Sequence, residues 1–129
     1  MLYLDSSAIV KLIIDEPESD VLKGSLGPDV ASSALARTEV MRAVLRVDST
    51  LGPTVDAALD RIDLVTVDAG ILRAAGRIPP MSIRALDAIH LATAAEFGNE
   101  LEALITYDDR MATAAAEAGI DVFAPTAHA

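Results

Sequence analysis

Short apolar runs of strand length alternate with helix-like stretches along the whole chain, and this alternation limits the possible folds more than any other feature. The strand-like runs are Leu2 to Asp5, Val30 to Ser33, Leu64 to Val67, Leu104 to Tyr107 and the edge pair Val122-Phe123. Between the first two, Ser6 or Ser7 is placed to cap a helix carrying Ile9, Val10, Leu12 and Ile13. Pro17 then suits the start of a second helix, ending near Gly24 to Gly27. Leu35 to Val47 sets Val40, Val44 and Val47 on one stripe, and Gly52-Pro53 reads as a break before a short helix from Thr54 to Ile62. Asp68 reads as the cap of the next helix, and Gly76 to Pro80 as a loop. Ile83 to Phe97, stopped by Gly98, is the strongest helix, and Asp109 to Ala118 is closed by Gly119. Strands alternating with helices in this way imply an α/β fold with three α/β/α layers around a central parallel sheet of four to five strands. Residues 1–129 contain no linker or repeat, so one domain is expected.

Composition narrows the class. Apolar residues make up 52% of the chain and aromatics only 3%, which suits closely packed helices on a sheet better than an aromatic-filled barrel. The chain has no cysteine, which removes disulfides, thiolate metal sites and thiol nucleophiles. MLYLDSS has no basic region and meets Asp5 at once, unlike a signal peptide, and no apolar run approaches the ~18 residues of a membrane span. The expectation is a soluble cytoplasmic protein without membrane contact. A net charge of −10 argues against holding nucleic acid by phosphate neutralisation alone. It leaves open an enzyme that meets phosphate through metal.

Acidic residues supply the chemistry. Asp5, Glu39, Asp87 and Asp108 each sit within an apolar stretch, where an ionised carboxylate is costly without an opposite charge or a metal. Asp5 and Asp108 lie at the C-terminal ends of strand-like runs, and Glu39 and Asp87 in the first turns of helices. In open parallel sheets ligands collect at that edge, where the strand order reverses. Each acid has a plainer explanation. Asp5 and Asp108 fit N-caps, and Glu39 and Asp87 fit first-turn acids that complement the helix dipole, worth only ~0.3–1 kcal/mol. Convergence of all four on one edge would instead require a divalent cation. Oxygen-only donors suit Mg²⁺ or Mn²⁺. Asp109 is a reserve ligand, whereas His90 on an apolar helix and His128 in the tail read as packed or peripheral.

The segments LYLDSSAIVKL, TEVMRAV, RALDAIHLATAAEFG and LITYDDRMATAAAEAGIDVFAP resemble the motifs of the PIN domain, in order and at family spacing, above all those of the VapC-type toxins of toxin–antitoxin pairs. The resemblance covers essentially the whole chain. It implies a Mg²⁺- or Mn²⁺-dependent endoribonuclease, with Asp5, Glu39, Asp87 and Asp108 as the metal-binding and catalytic acids and products bearing a 5′-phosphate and a 3′-hydroxyl. Ser6 matches the small hydroxyl residue after the first acid, and Thr106 a hydroxyl before the last. It also implies an RNA substrate, a small antitoxin as inhibitor and a two-fold homodimer, for which Ile71, Leu72, Ile78 and Met81 offer apolar surface.

Two other classes compete. A phospho-receiver signalling domain is also α/β, acidic and Mg²⁺-binding, and Asp68 could stand as its acceptor. That family needs paired acids after the first strand and a late Lys, and the last Lys here is Lys23. The other is a catalytically inactive PIN-like interaction module, against which the presence of all four acids speaks.

Overall fold

A computed structural model describes residues 1–126. The chain runs β1 (Leu2–Leu4), α1 (Ser6–Ile13), α2 (Ser19–Ser25), β2 (Val30–Ser33), α3 (Ala36–Val47), α4 (Gly52–Leu59), β3 (Asp63–Val65), α5 (Ala69–Ala75), α6 (Ala85–Ala95), β4 (Ala103–Ile105), α7 (Asp109–Glu117) and β5 (Val122–Phe123). The strands form one five-stranded, all-parallel sheet in the order β3-β2-β1-β4-β5.

Side chains alternate across each strand, so neighbouring residues feed opposite layers. Leu4, Val30 and Ile105 point to a core built with Ile9, Leu22, Val40, Val44, Val55 and Leu59 from α1 to α4. Tyr3, Ala31 and Leu104 point the other way, onto Leu91 and Ala94 of α6 and Met111, Ala114 and Ala115 of α7. A smaller cluster, Ile71, Ala75, Ala88 and Ala92, packs α5 on α6. The expected α/β/α layering is present. Among the described residues no helix is long and apolar enough to cross a membrane.

Several local expectations need correction. Asp5, not Ser6 or Ser7, caps α1, because its carboxylate accepts from the Ala8 N–H while Ser7 donates to that carboxylate. Gly52-Pro53 opens α4 instead of breaking the chain before it, since proline at the first helical positions forfeits no intrahelical bond. α6 begins at Ala85 because Arg84 is extended, at ψ 151°. Gly119 follows the end of α7 at φ +81°, where a side chain would be strained, whereas α6 already ends at Ala95 and Gly98, at φ +53°, opens a short 3-10 turn instead of stopping the helix. Asp68 caps α5 as expected, accepting from the Ile71 N–H. Ile71 is buried against α6, so it contributes no surface for self-association. The Pro79-Pro80 peptide is cis. His128 lies outside the described residues.

Candidate active site

The strand order reverses between β1 and β4, which are neighbours in the sheet. The crevice beyond their C-terminal ends is where an open α/β sheet accepts ligands. Asp5 leaves β1 there, with its N–H bonded to the Ile105 carbonyl, and Asp108 leaves β4 as the N-cap of α7.

Asp5 is buried, at 4% exposure. One carboxylate oxygen accepts from Ser7 Oγ at 2.7 Å and from the Ala8 N–H at 3.0 Å, and the other accepts from Thr106 Oγ1. Burial pushes the Asp5 carboxyl up, and the bonds from Thr106, Ser7 and Ala8 oppose that shift. Thr106 also accepts the Asp108 N–H at 3.1 Å, so one hydroxyl ties the acid leaving β1 to the acid leaving β4. Asp108 Oδ1 in turn receives the N–H groups of Arg110 and Met111.

Glu39 reaches in from the first turn of α3. Its Oε1 accepts from Ser6 Oγ at 2.8 Å and meets His90 Nε2 at 2.8 Å. Burial would raise this carboxyl, but the bond and charge of His90, aided by Ser6, leave it lowered. Asp87 sits in the first turn of α6, half-buried. Burial raises it first and the Asp108 carboxylate second, while Arg84 and His90 pull it down and the more remote Asp5 adds to the rise.

Glu39, Asp87 and Asp108 line one cavity of about 260 Å³ together with Arg84, Ala85 and Leu86. Asp5, buried at the end of β1, is not among the residues that line it. Three of the four expected acids thus share this cavity, whereas Asp109 faces a separate cavity of about 540 Å³ with Arg110, Thr113 and Glu117. Among the described residues no three carboxylate or imidazole groups are gathered closely enough to cage one ion. The donor chemistry still fits a hard cation. Mg²⁺ keeps most of its waters and is commonly held by one or two carboxylates plus substrate phosphate, and positive charge relieves the repulsion that the Asp108 carboxylate exerts on Asp87.

His90 and Tyr3 are the residues the sequence left outside the site. His90 is packed and hydrogen-bonded, as a lone histidine on an apolar helix suggests, but its partners are Glu39, Ser6 and Tyr3. The available signal was the three-residue spacing from Asp87, which puts both on adjoining faces of α6.

The PIN domain family model matches residues 2–117. Ribonuclease VapC46 of Mycobacterium tuberculosis is 52% identical over 128 residues, covering 97% of this chain and 98% of that protein. Two solved structures share the fold: the M. tuberculosis sarcin-ricin loop cleaving toxin VapC20, with TM-score 0.75 at 17% identity over 97% of this chain and all of that one, and a toxin–antitoxin complex from Klebsiella pneumoniae, with TM-score 0.72 at 20% identity over 87% and 90%. With a family model spanning most of its length and a relative this similar from end to end, the chain belongs to the PIN domain family, among its VapC-type ribonucleases.

Proposed function

We propose that this chain is a divalent-metal-dependent endoribonuclease that cleaves RNA phosphodiester bonds as the toxin of a toxin–antitoxin pair in the cytoplasm. The observation that carries the reading is the pairing of β1 with β4, which brings Asp5 and Asp108 to the edge where Glu39 and Asp87 also arrive. Relatives named as ribonucleases support the substrate class.

The chain's residues divide the work. Asp87 and Asp108 face the cavity from two helix N-termini and, with Glu39, would hold Mg²⁺ or Mn²⁺. Asp5, fixed by Ser7, Ala8 and Thr106, would complete the set from the end of β1. Such a cation, when bound, makes a water more acidic and steadies charge on the phosphate oxygens during in-line attack. Arg84 lines the same cavity and is placed to meet a phosphate oxygen directly. Ser6 and Thr106 orient carboxylates, Ser6 that of Glu39 and Thr106 that of Asp5. Cleavage on these terms leaves a 5′-phosphate and a 3′-hydroxyl.

The partner would be a small antitoxin whose Arg or Lys enters the acidic cavity, because a guanidinium binds carboxylates bidentately and stays charged. Its apolar residues have a groove of about 380 Å³ beside α1, α2 and α4, lined by Leu12, Leu26, Val30 and Ile62 with Lys23 and Arg61 among them. Incubation of the purified chain with RNA under Mg²⁺, Mn²⁺ or EDTA tests the reading. Cleavage with metal that EDTA abolishes is expected, whereas an inert chain under every metal would leave an interaction module.

A further inference from the structure

His90 is 1% exposed, yet it lies between the sheet and the acidic cavity. Its Nε2 is 2.8 Å from Glu39 Oε1 and 3.3 Å from Ser6 Oγ, and its Nδ1 is 2.7 Å from the Tyr3 hydroxyl. An ionised carboxylate offers only acceptors, so the nitrogen facing Glu39 must bear a proton. In the neutral ring Nδ1 is then bare, and the Tyr3 hydroxyl donates to it. Tyr3 is itself wholly buried in β1, and its ring meets the imidazole edge-on at a centroid distance of 5.9 Å. The result is a chain of contacts from the centre of the sheet to Glu39. Without it, a glutamate at the half-open rim of α3 would keep several rotamers.

We propose that His90 is a positioning residue: its Nε2–H holds Glu39 against Ser6 at the cavity wall, and the Tyr3 hydroxyl on Nδ1 fixes the ring in that tautomer. The arrangement is the carboxylate–imidazole support expected behind a hard-ion site, where losing the supporting group typically costs about 10–100-fold in metal affinity. The metal arm of the test rests on the nuclease reading above. The tautomer arm does not.

The first measurement is nitrogen-15 NMR of the metal-free chain, with His128→Ala identifying the only other histidine. A directly bonded proton on Nε2 with a bare Nδ1 is expected, and its signal should broaden by exchange in Tyr3→Phe. A ring protonated on Nδ1, whether neutral or as the imidazolium with both nitrogens protonated, overturns the proposal. The second is Mn²⁺ binding, followed by electron paramagnetic resonance of the free ion. A glutamine amide nitrogen reaches the place of Nε2, whereas an asparagine reaches only that of Nδ1. His90→Asn should therefore bind Mn²⁺ about 10–100-fold more weakly and His90→Gln should recover most of the loss. A folded His90→Asn with wild-type affinity, or His90→Gln as weak as His90→Asn, overturns it. If His90→Asn does not fold, His90→Gln against wild type and the ring tautomer decide. A wild-type chain that binds no Mn²⁺ removes the nuclease reading, and the tautomer then decides the relay by itself.

Discussion

Asp5 and Asp87 illustrate two ways of keeping a carboxylate at a site. Asp5 is buried and every oxygen has a donor, whereas Asp87 is half-buried and, among the described residues, accepts no hydrogen bond. Asp5→Asn keeps one acceptor but turns an amide N–H toward a group that already donates, which costs roughly 1–3 kcal/mol for a buried unpaired donor. Asp87→Asn removes a charge that burial and Asp108 disfavour. Both variants should lose metal-dependent RNA cleavage, but only Asp5→Asn should melt earlier in EDTA. The pH dependence follows from the direction of the Asp87 shift. Its folded pKa is raised above the ordinary 3.8, so the fold favours the protonated form and wild type loses stability as pH climbs through the folded value. Asp87→Asn should match or exceed wild type at neutral pH, and the gap should close in acid. Thermal unfolding across that range checks it, and a gap that widened in acid would contradict the assignment. The acids themselves were legible because charge inside apolar runs is costly. The sequence poses capping and site duty as alternatives for Asp5; the carboxylate does cap α1, and the site duty proposed above would fall on the same side chain.

At the scale of elements, α6 carries Asp87 toward the cavity and His90 toward the sheet, so its placement sets both. Its other faces bury Leu91 and Ala94 against the sheet layer and Ala88 and Ala92 against Ile71 and Ala75 of α5. Alanines at that seam let the two helices approach closely. Ala92→Leu should overpack it, costing about 1–3 kcal/mol and shifting α6. Nuclease activity should then fall further than the lost stability accounts for, read as kcat at a temperature where the variant is fully folded by circular dichroism. Full kcat at reduced stability would show that the seam has slack. The apolar period of α6 made it the easiest helix to read from sequence, although its start was placed too early because Ile83 bonds back to Pro80 in a turn. α4 was misread at its first residue for the opposite reason: Gly-Pro marks loops and helix starts equally, and only tertiary packing of Val55 and Leu59 decides between them.

At the scale of the molecule, strand order was the missing information. Alternating strands and helices imply a parallel sheet, but nothing local says that β1 pairs with β4, because that pairing joins residues about a hundred positions apart. The acids suggested it through the cost of leaving them isolated. Charge gives the whole chain a second property: at −10 it should draw a basic antitoxin tail quickly, with an association rate that falls as salt rises in stopped-flow mixing. A rate indifferent to salt would mean that apolar docking leads. An unpartnered apolar surface lies where α5 meets the loop into α6. Leu72 and Met81 are 50% and 69% exposed, and they line an apolar groove of about 360 Å³ with Ile78, Pro80 and Ile83. Leu86, 46% exposed, stands nearby at the start of α6. Large side chains clustered this way around a groove are costly in water, and a second copy meeting the patch about a two-fold axis would cover both sets at once. Light scattering should report a dimer mass at micromolar concentration, and Met81→Lys or Leu72→Glu, which place charge in the patch without touching the cavity acids, should shift it toward monomer while the fold is retained. A monomer mass for the unaltered chain with full ribonuclease activity would show that the patch does not pair two copies at that concentration, and that the site is complete within one copy.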